Sequence, residues 1–251
     1  MRKVLVAVLL LAPVLLCAGG PALAQKSKDK DRAKGARILD SGSFGVYLAG
    51  KRVATETFQV EETPSKNIAT AEFKSVDGTG ASQSSQLELM PNGDLLRYEW
   101  KELSPGKSTA VVGLRDQFLV EQISTNPNEK STELPFILPA STLIVDDNFF
   151  LHRQILAWRY LATSCTPVPE KQGQCRMAKT QFGVFIPQQH RPVMVSLEYM
   201  GREKVTIVGA ERELDRVKLE AEGTVWSLWL DGDHKLVRVL VVGQNVEVLR
   251  D

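Results

Sequence analysis

Apolar and polar residues alternate in short runs over most of the chain beyond residue 37. Phe44, Val46 and Leu48 alternate with small or polar residues before a turn at 49–51, and the alternation resumes over 54–60. This two-residue period on both sides of a glycine-bearing turn predicts a β-hairpin. The same pattern predicts further strands at 68–76, 82–90, 95–101, 109–114 and 118–124.

A single segment of the mature chain has a convincing helical period. Its apolar residues fall on one arc, while His152 and Arg159 share a narrow opposite stripe that the pattern assigns to a wetted edge. Asp146, Asp147 and Asn148 are the predicted N-caps. The pattern predicts a helix over 147–161, whose buried arc comprises Phe150, Leu151, Ile155, Ala157, Trp158 and Leu161.

Short strands continue after this helix. The alternation predicts them at 181–186, 193–200, 204–208, 214–221, 224–230 and 235–242, with one turn placed at Gly201. The strand at 224–230 carries Trp226 on one face and Trp229 on the other, so both of its faces should be covered. The predicted fold class is mainly β: an antiparallel meander forming a strongly curved sheet or unclosed β-barrel, with the helix covering its dry face.

The first 24 residues have the pattern of a cleaved secretory signal peptide. Arg2 and Lys3 precede an apolar run over 4–18, and residues 22–24 offer the small residues that a signal peptidase reads. The prediction is a cut after Ala24 and a periplasmic or secreted protein with no transmembrane segment after signal removal. The alternative is a lipoprotein acylated at Cys17, although Leu16 occupies the position where that processing needs a small residue.

Charge divides the mature chain into two regions. Residues 25–37 carry six basic and two acidic side chains and almost nothing apolar, which predicts a flexible basic leader. Residues 38–251 are then a single, mildly acidic β-rich domain. This domain has neither a basic face nor an aromatic motif among basic residues, so nucleic acid is not a predicted partner.

Cys165 and Cys175 are the mature cysteines, and they lie in a loop just after the helix. An oxidising compartment predicts a disulfide between them. The nine intervening residues are unlike a redox-active Cys-x-x-Cys site.

The three histidines have no metal-ligand spacing, so the sequence predicts neither a metal site nor a cofactor. A hydrolytic site using Asp147 and His152 is the less favoured alternative, because acidic residues at a helix start are caps more often than catalysts. No nucleophile elbow is present, and a non-catalytic protein is predicted.

The order of these elements, with residues 146–152 and 229–237 in particular, resembles a group of uncharacterised periplasmic β-rich proteins. These in turn resemble the bacterial lipoprotein-carrier type of unclosed β-barrel. The resemblance implies a half-barrel whose apolar concavity, lidded by the helix, holds an acyl chain or another apolar ligand.

Two functional hypotheses follow, and cavity volume separates them. The first is a periplasmic binding or carrier protein for a lipid-like ligand or lipoprotein. The second is a non-catalytic envelope scaffold or interaction protein whose concave face is filled by its own helix. The sequence leaves the ligand and the oligomeric state open. For the first hypothesis, the candidate cavity or lid residues are Phe150, Ile155, Trp158, Trp226 and Trp229.

Overall fold

The computed structural model describes residues 35–251, apart from residues 79, 81, 127, 140 and 168–174 and the side chains of 165–167, 175 and 176. One α-helix lies among seventeen strands in this part of the chain. The helix, α1, spans Leu151–Thr163. The strands are β1 (Arg37–Leu48), β2 (Lys51–Glu62), β3 (Asn67–Ser75), β4 (Ser82–Leu89), β5 (Leu95–Ser104), β6 (Thr109–Arg115), β7 (Phe118–Ser124), β8 (Thr132–Phe136), β9 (Leu143–Ile144), β10 (Cys165–Pro167), β11 (Cys175–Met177), β12 (Thr180–Ile186), β13 (Arg191–Ile207), β14 (Ala210–Ala221), β15 (Thr224–Leu230), β16 (Leu236–Val241) and β17 (Val246–Arg250).

Fifteen of the strands form one sheet that does not close on itself. Strands β1–β8 follow one another from its middle to one edge, β17 pairs with β1, and the order then runs back through β12 to β9. Every neighbouring pair is antiparallel except β9 and β12, which are parallel. The predicted mainly β, unclosed barrel with one helix is therefore confirmed.

The alternating pattern located the hairpins but misplaced one turn. Gly201, with a φ of +100°, lies at a register shift inside β13, so this strand continues where the sequence predicted a turn. The chain reverses instead at Val208 and Gly209, both with positive φ. Glycine satisfies a bulge and a turn equally well, because both need a backbone that residues with a Cβ rarely adopt.

Side-chain contacts connect the two ends of the sheet. The ring centroids of Phe136 on β8 and Phe185 on β12 are 4.8 Å apart. Between the same two ends of the sheet, His190 Nδ1 lies 2.8 Å from the carboxylate of Glu121 on β7. These contacts join the two ends of the sheet, although no backbone ladder connects the edge strand β8 with β12 or with the other edge strand, β9.

The main core fills the concave side of the sheet, where α1 packs. It contains Leu151, Leu156 and Tyr160 of the helix together with inward residues of strands from both halves of the sheet. A second, smaller core lies on the convex side, where Trp229 packs with Val205, Ile207, Leu214 and Val237. The expectation that β15 is covered on both faces is confirmed, since Leu228 and Leu230 on one face and Trp229 on the other are all buried.

No helix in the described ranges is long and apolar enough to cross a membrane. The predicted signal peptide and most of the predicted leader fall on residues 1–34, outside the described residues, so these remain predictions. Strand β1 begins at Arg37, the last residue of the predicted leader.

The predicted disulfide also remains a prediction, because the side chains of Cys165 and Cys175 lie outside the described residues. Their backbones belong to one short hairpin, in which Cys165 pairs with Met177 and Cys175 with Pro167. We expect thiol titration of the denatured, unreduced mature protein to find no free thiol, and two after reduction. Two thiols before reduction would contradict the prediction.

Candidate functional site

The first turn of α1 lies in the protein interior. Residues 151–154 are all buried although three of them are polar, His152, Arg153 and Gln154. The prediction that His152 lies on a wetted edge was wrong, since this residue is 1% exposed. On a flat sheet, an amphipathic helix would leave the face that contains His152 exposed to solvent. A helix enclosed by a curved sheet instead has buried residues on every side.

The helix is capped by a side chain distant in sequence. Both carboxylate oxygens of Glu56 on β2 accept backbone N–H groups, from Phe150 at 2.7 Å and from Leu151 at 3.0 Å. The sequence predicted a cap from residues 146–148, but the N-cap position is Phe150 and has no side-chain cap bond of its own. Burial raises the pKa of Glu56 to about 7, although the two N–H groups act to lower it.

Asp146 is the centre of a second set of buried hydrogen bonds. Its carboxylate accepts hydrogen bonds from the Tyr98 hydroxyl, from Gln188 Nε2 at 2.5 Å and from the Asn148 backbone N–H at 2.7 Å. Burial raises the pKa of Asp146, although the three donated hydrogen bonds act to lower it. Burial and the neighbouring Asp146 charge raise the pKa of Tyr98 well above its ordinary range. These bonds hold the segment before the helix against β5.

His152 is held as a neutral ring. Its Nδ1 accepts the Asp146 backbone N–H at 3.0 Å, which places the proton on Nε2. Nε2 is buried and has no hydrogen-bond partner among the residues that the structure describes. Burial, and secondarily the nearby Arg153 charge, lowers the pKa of His152 to about 3.

Arg153 is a buried cation. Its NH1 donates to the backbone carbonyls of Asp146 at 3.2 Å and Phe149 at 3.1 Å. The guanidinium carbon lies 5.1 Å from the ring centroid of Phe150 and 5.8 Å from that of Trp226. Burial lowers the pKa of Arg153, while the acidic neighbours raise it. Two candidate ligand residues, Phe150 and Trp226, therefore flank a protein cation.

The geometry contradicts the hydrolase hypothesis. Asp147 is exposed and its carboxylate accepts a hydrogen bond from Gln189 Nε2 at 2.7 Å, whereas His152 is enclosed in the interior. A general base must reach the proton that it abstracts, directly or through one water. Asp147 and His152 therefore do not form the open site that this chemistry requires. Among the described residues, no group of three or more His, Cys, Asp or Glu could hold a metal ion.

An apolar cleft lies at the other end of the helix, which we call the mouth groove. Its volume is about 460 Å³. The helix contributes Trp158 and Leu161, which are half-buried, and the exposed Ala162. Among the described residues, the lining consists of Leu39, Trp158, Leu161, Ala162, Asp233, His234 and Lys235.

Polar contacts fix the walls of the mouth groove. Trp158 Nε1 donates to the His234 carbonyl at 2.6 Å, which ties the helix to the β15–β16 turn. Within that turn, Asp231 Oδ1 accepts the backbone N–H groups of Asp233 and Lys235 at 3.0 and 2.9 Å. Trp158 therefore presents its ring to the groove with its polar atom satisfied.

Two other clefts differ from the mouth groove. One, of about 400 Å³, is formed mainly by apolar residues on β12, β13 and the segment after β8, among them Met194. The other, of about 440 Å³, is a polar trough formed by four neighbouring strands, β2 to β5. Its cross-strand rows include Thr57, Glu72, Ser84 and Lys101.

The structure separates the five candidate ligand residues. Trp158 lines the mouth groove, Ile155 packs against the main core, and Trp229 lies in the second core on the convex side. The sequence did not point to Leu39 and Lys235 in the groove or to Glu56 at the cap. Of these three residues, Leu39 has the clearest signal in the sequence, because it is an apolar residue close to the end of the predicted basic leader.

No family model matches the sequence, and no curated protein matches it. Among solved structures, the chain is similar to the crystal structure of a β-barrel-like protein of the domain of unknown function DUF1849 from Brucella abortus. The TM-score is 0.50 at 10% sequence identity, over 86% of this chain and 97% of the other. At this identity the likeness supports a β-barrel-like fold alone.

Proposed function

We propose that this protein is an exported, non-catalytic binding protein that takes up an apolar ligand in the mouth groove. The observation that carries the proposal is the groove itself, with Leu39, Trp158, Leu161 and Ala162 in its wall. Its volume of about 460 Å³ is within the range of roughly 300–1,000 Å³ common for small-molecule sites.

The packing of the helix decides where such a ligand would bind. Residues 151–154 of α1 are buried among core side chains, so the protein itself occupies the space around the first turn. The second half of the helix is more open, because Trp158, Arg159 and Leu161 are half-buried. In the proposed function the helix is a plug at its N-terminal end and a groove wall at its C-terminal end.

The test is displacement of an apolar fluorescent dye, N-phenyl-1-naphthylamine, from the mature protein by palmitate. We expect the wild-type protein to bind both the dye and palmitate. Leu161→Glu should lower the affinity for each by tenfold or more, because it places a charge against the apolar part of the bound ligand. Met194→Glu is the matched control, since Met194 lines the separate cleft on β12 and β13. This control variant should bind as the wild-type does.

The filled interior favours one second candidate, a scaffold or interaction protein without a small ligand. The same titration distinguishes the two functions. If neither dye nor palmitate binds the native protein, the scaffold function is favoured. If both bind and Leu161→Glu binds them as well as wild type does, the mouth groove is not the ligand site and the proposal fails. Circular dichroism of each variant would verify that it is folded.

A further inference from the structure

Lys235 places a cation in the wall of the mouth groove, and its charge indicates which class of apolar ligand the groove would bind. We propose that the groove takes a single-chain amphiphile with an anionic head group, and that Lys235 recognises the head group. The inference rests on the proposed function and deepens it, because an apolar wall alone would accept a neutral chain equally well.

Lys235 is not needed to neutralise its acidic neighbour. Asp40 is buried, and Arg250 already donates to both of its oxygens, at 2.6 Å to Oδ1 and 3.1 Å to Oδ2. Gln154 Nε2 donates a third hydrogen bond, to Oδ2 at 2.8 Å, and the Ser41 backbone N–H donates a fourth, to Oδ1 at 2.9 Å. The carboxylate of Asp40 therefore has a full set of strong partners from the helix and from β17.

The Lys235 ammonium is consequently only loosely held. Its Nζ lies 3.6 Å from Asp40 Oδ1, beyond ordinary hydrogen-bond length, and its side chain is 35% exposed. An ammonium group has three donors, and it makes its strongest hydrogen bonds with anionic oxygen. A carboxylate at the end of an acyl chain in the groove would supply such oxygens.

The other charged groups near the groove define the competing possibility. Asp231 directs one carboxylate oxygen into its own turn, onto the backbone N–H groups of Asp233 and Lys235. Asp233 is exposed at the groove rim, and His234 is a further titratable side chain among the described lining residues. Because Asp233 would favour a cationic head group, a cationic amphiphile is the informative comparison.

The experiment compares three amphiphiles with the same twelve-carbon chain, namely laurate, dodecanol and dodecyltrimethylammonium. Each is titrated into the mature protein loaded with N-phenyl-1-naphthylamine at pH 7.5, at concentrations below those at which the amphiphile itself aggregates, and displacement of the dye is measured. We expect laurate to bind at least tenfold more tightly than the other two, and its affinity to fall as salt is added.

Single-lysine variants then assign the charge. Lys235→Gln should weaken laurate binding by about tenfold and leave dodecanol binding unchanged, and Lys235→Glu should weaken laurate binding further. Lys204→Gln removes an exposed lysine on β13, paired with Glu211, and should leave laurate binding unchanged. Thermal melting of each variant would verify that the fold is retained.

The outcomes separate this inference from the proposed function. If laurate and dodecanol bind with equal affinity, the groove is a site for apolar chains without recognition of a head group. If Lys235→Gln binds laurate as wild type does, Lys235 does not recognise the head group. Either result overturns the role of Lys235. Preferential binding of dodecyltrimethylammonium would overturn it in favour of Asp233. If the dye and all three amphiphiles fail to bind, the proposed function fails and this inference fails with it.

Discussion

Replacing Glu56 with alanine is expected to lower the free energy of unfolding by about 3 kcal/mol at pH 7. The carboxylate accepts the backbone N–H groups of Phe150 and Leu151, and the helix has no side-chain cap of its own. A buried donor that loses its partner costs about 1–3 kcal/mol, and here two donors lose theirs. Relief of the desolvation of the buried carboxylate offsets part of this loss.

The measurement is urea denaturation of the mature protein, followed by circular dichroism. Glu72→Ala is the control, because Glu72 lies on the adjacent strand β3 in an ion pair with Lys74 whose side chains are 39% and 63% exposed. Such a pair contributes little, so this variant should unfold within about 0.5 kcal/mol of wild type. A Glu56→Ala variant equally close to wild type would show that the helix start does not depend on the distant cap.

The pH dependence of stability is expected to contain two large contributions of opposite sign, from His152 and Glu56. The pKa of His152 falls from 6.5 to about 3 on folding, so its contribution is present above pH 6.5 and is lost as the pH falls through about 3. The pKa of Glu56 rises from 4.5 to about 7, so its contribution is present below pH 4.5 and is lost as the pH rises through about 7.

Variants that remove each titration should reveal the two contributions separately. His152→Asn keeps an acceptor for the Asp146 N–H but has no charged form, so it should lose about 5 kcal/mol less stability than wild type between pH 6.5 and 3. Glu56→Gln cannot gain stability by protonation, so its stability should fall more steeply on acidification, by about 3 kcal/mol between pH 7 and 4.5.

Urea denaturation over this pH range would measure both slopes, and subtracting the wild-type curve cancels the contribution of the surface carboxylates. Parallel pH profiles for wild type and His152→Asn would mean that water enters the interior and that the imidazole is hydrated there. Parallel profiles for wild type and Glu56→Gln would mean that the Glu56 carboxylate ionises as easily in the native state as in the unfolded chain.

Local alternation determined the sheet. Side chains on a strand point alternately to the two faces. The spacing of residues such as Phe44, Val46 and Trp226 therefore indicated both the strand and the face that packs against the core. The pattern was weakest where strands are short or interrupted. It missed the short strands β8, β9, β10, β11 and β17. It also placed a turn at Gly201, because a bulge and a turn use the same residue.

Local sequence also identified the helix, but only the tertiary structure decided what surrounds it. Helical period shows which residues share a face, yet it cannot show how many faces a curved sheet will cover. His152 and Arg153 are buried because the sheet encloses the first turn, and the carboxylate that caps this turn is about 95 residues away in sequence. The predicted caps at 146–148 instead bind Tyr98, Gln188 and Gln83.

The mouth groove likewise depends on contacts that are distant along the chain. Trp158 was a sequence candidate because it is a large apolar residue at helical spacing, which is a property of the local sequence. Leu39 and Lys235 join it only because β1 and the β15–β16 turn meet the end of the helix. Periodicity along the chain determines strands and helix faces, whereas the pairing order of fifteen strands determines which side chains meet in the groove.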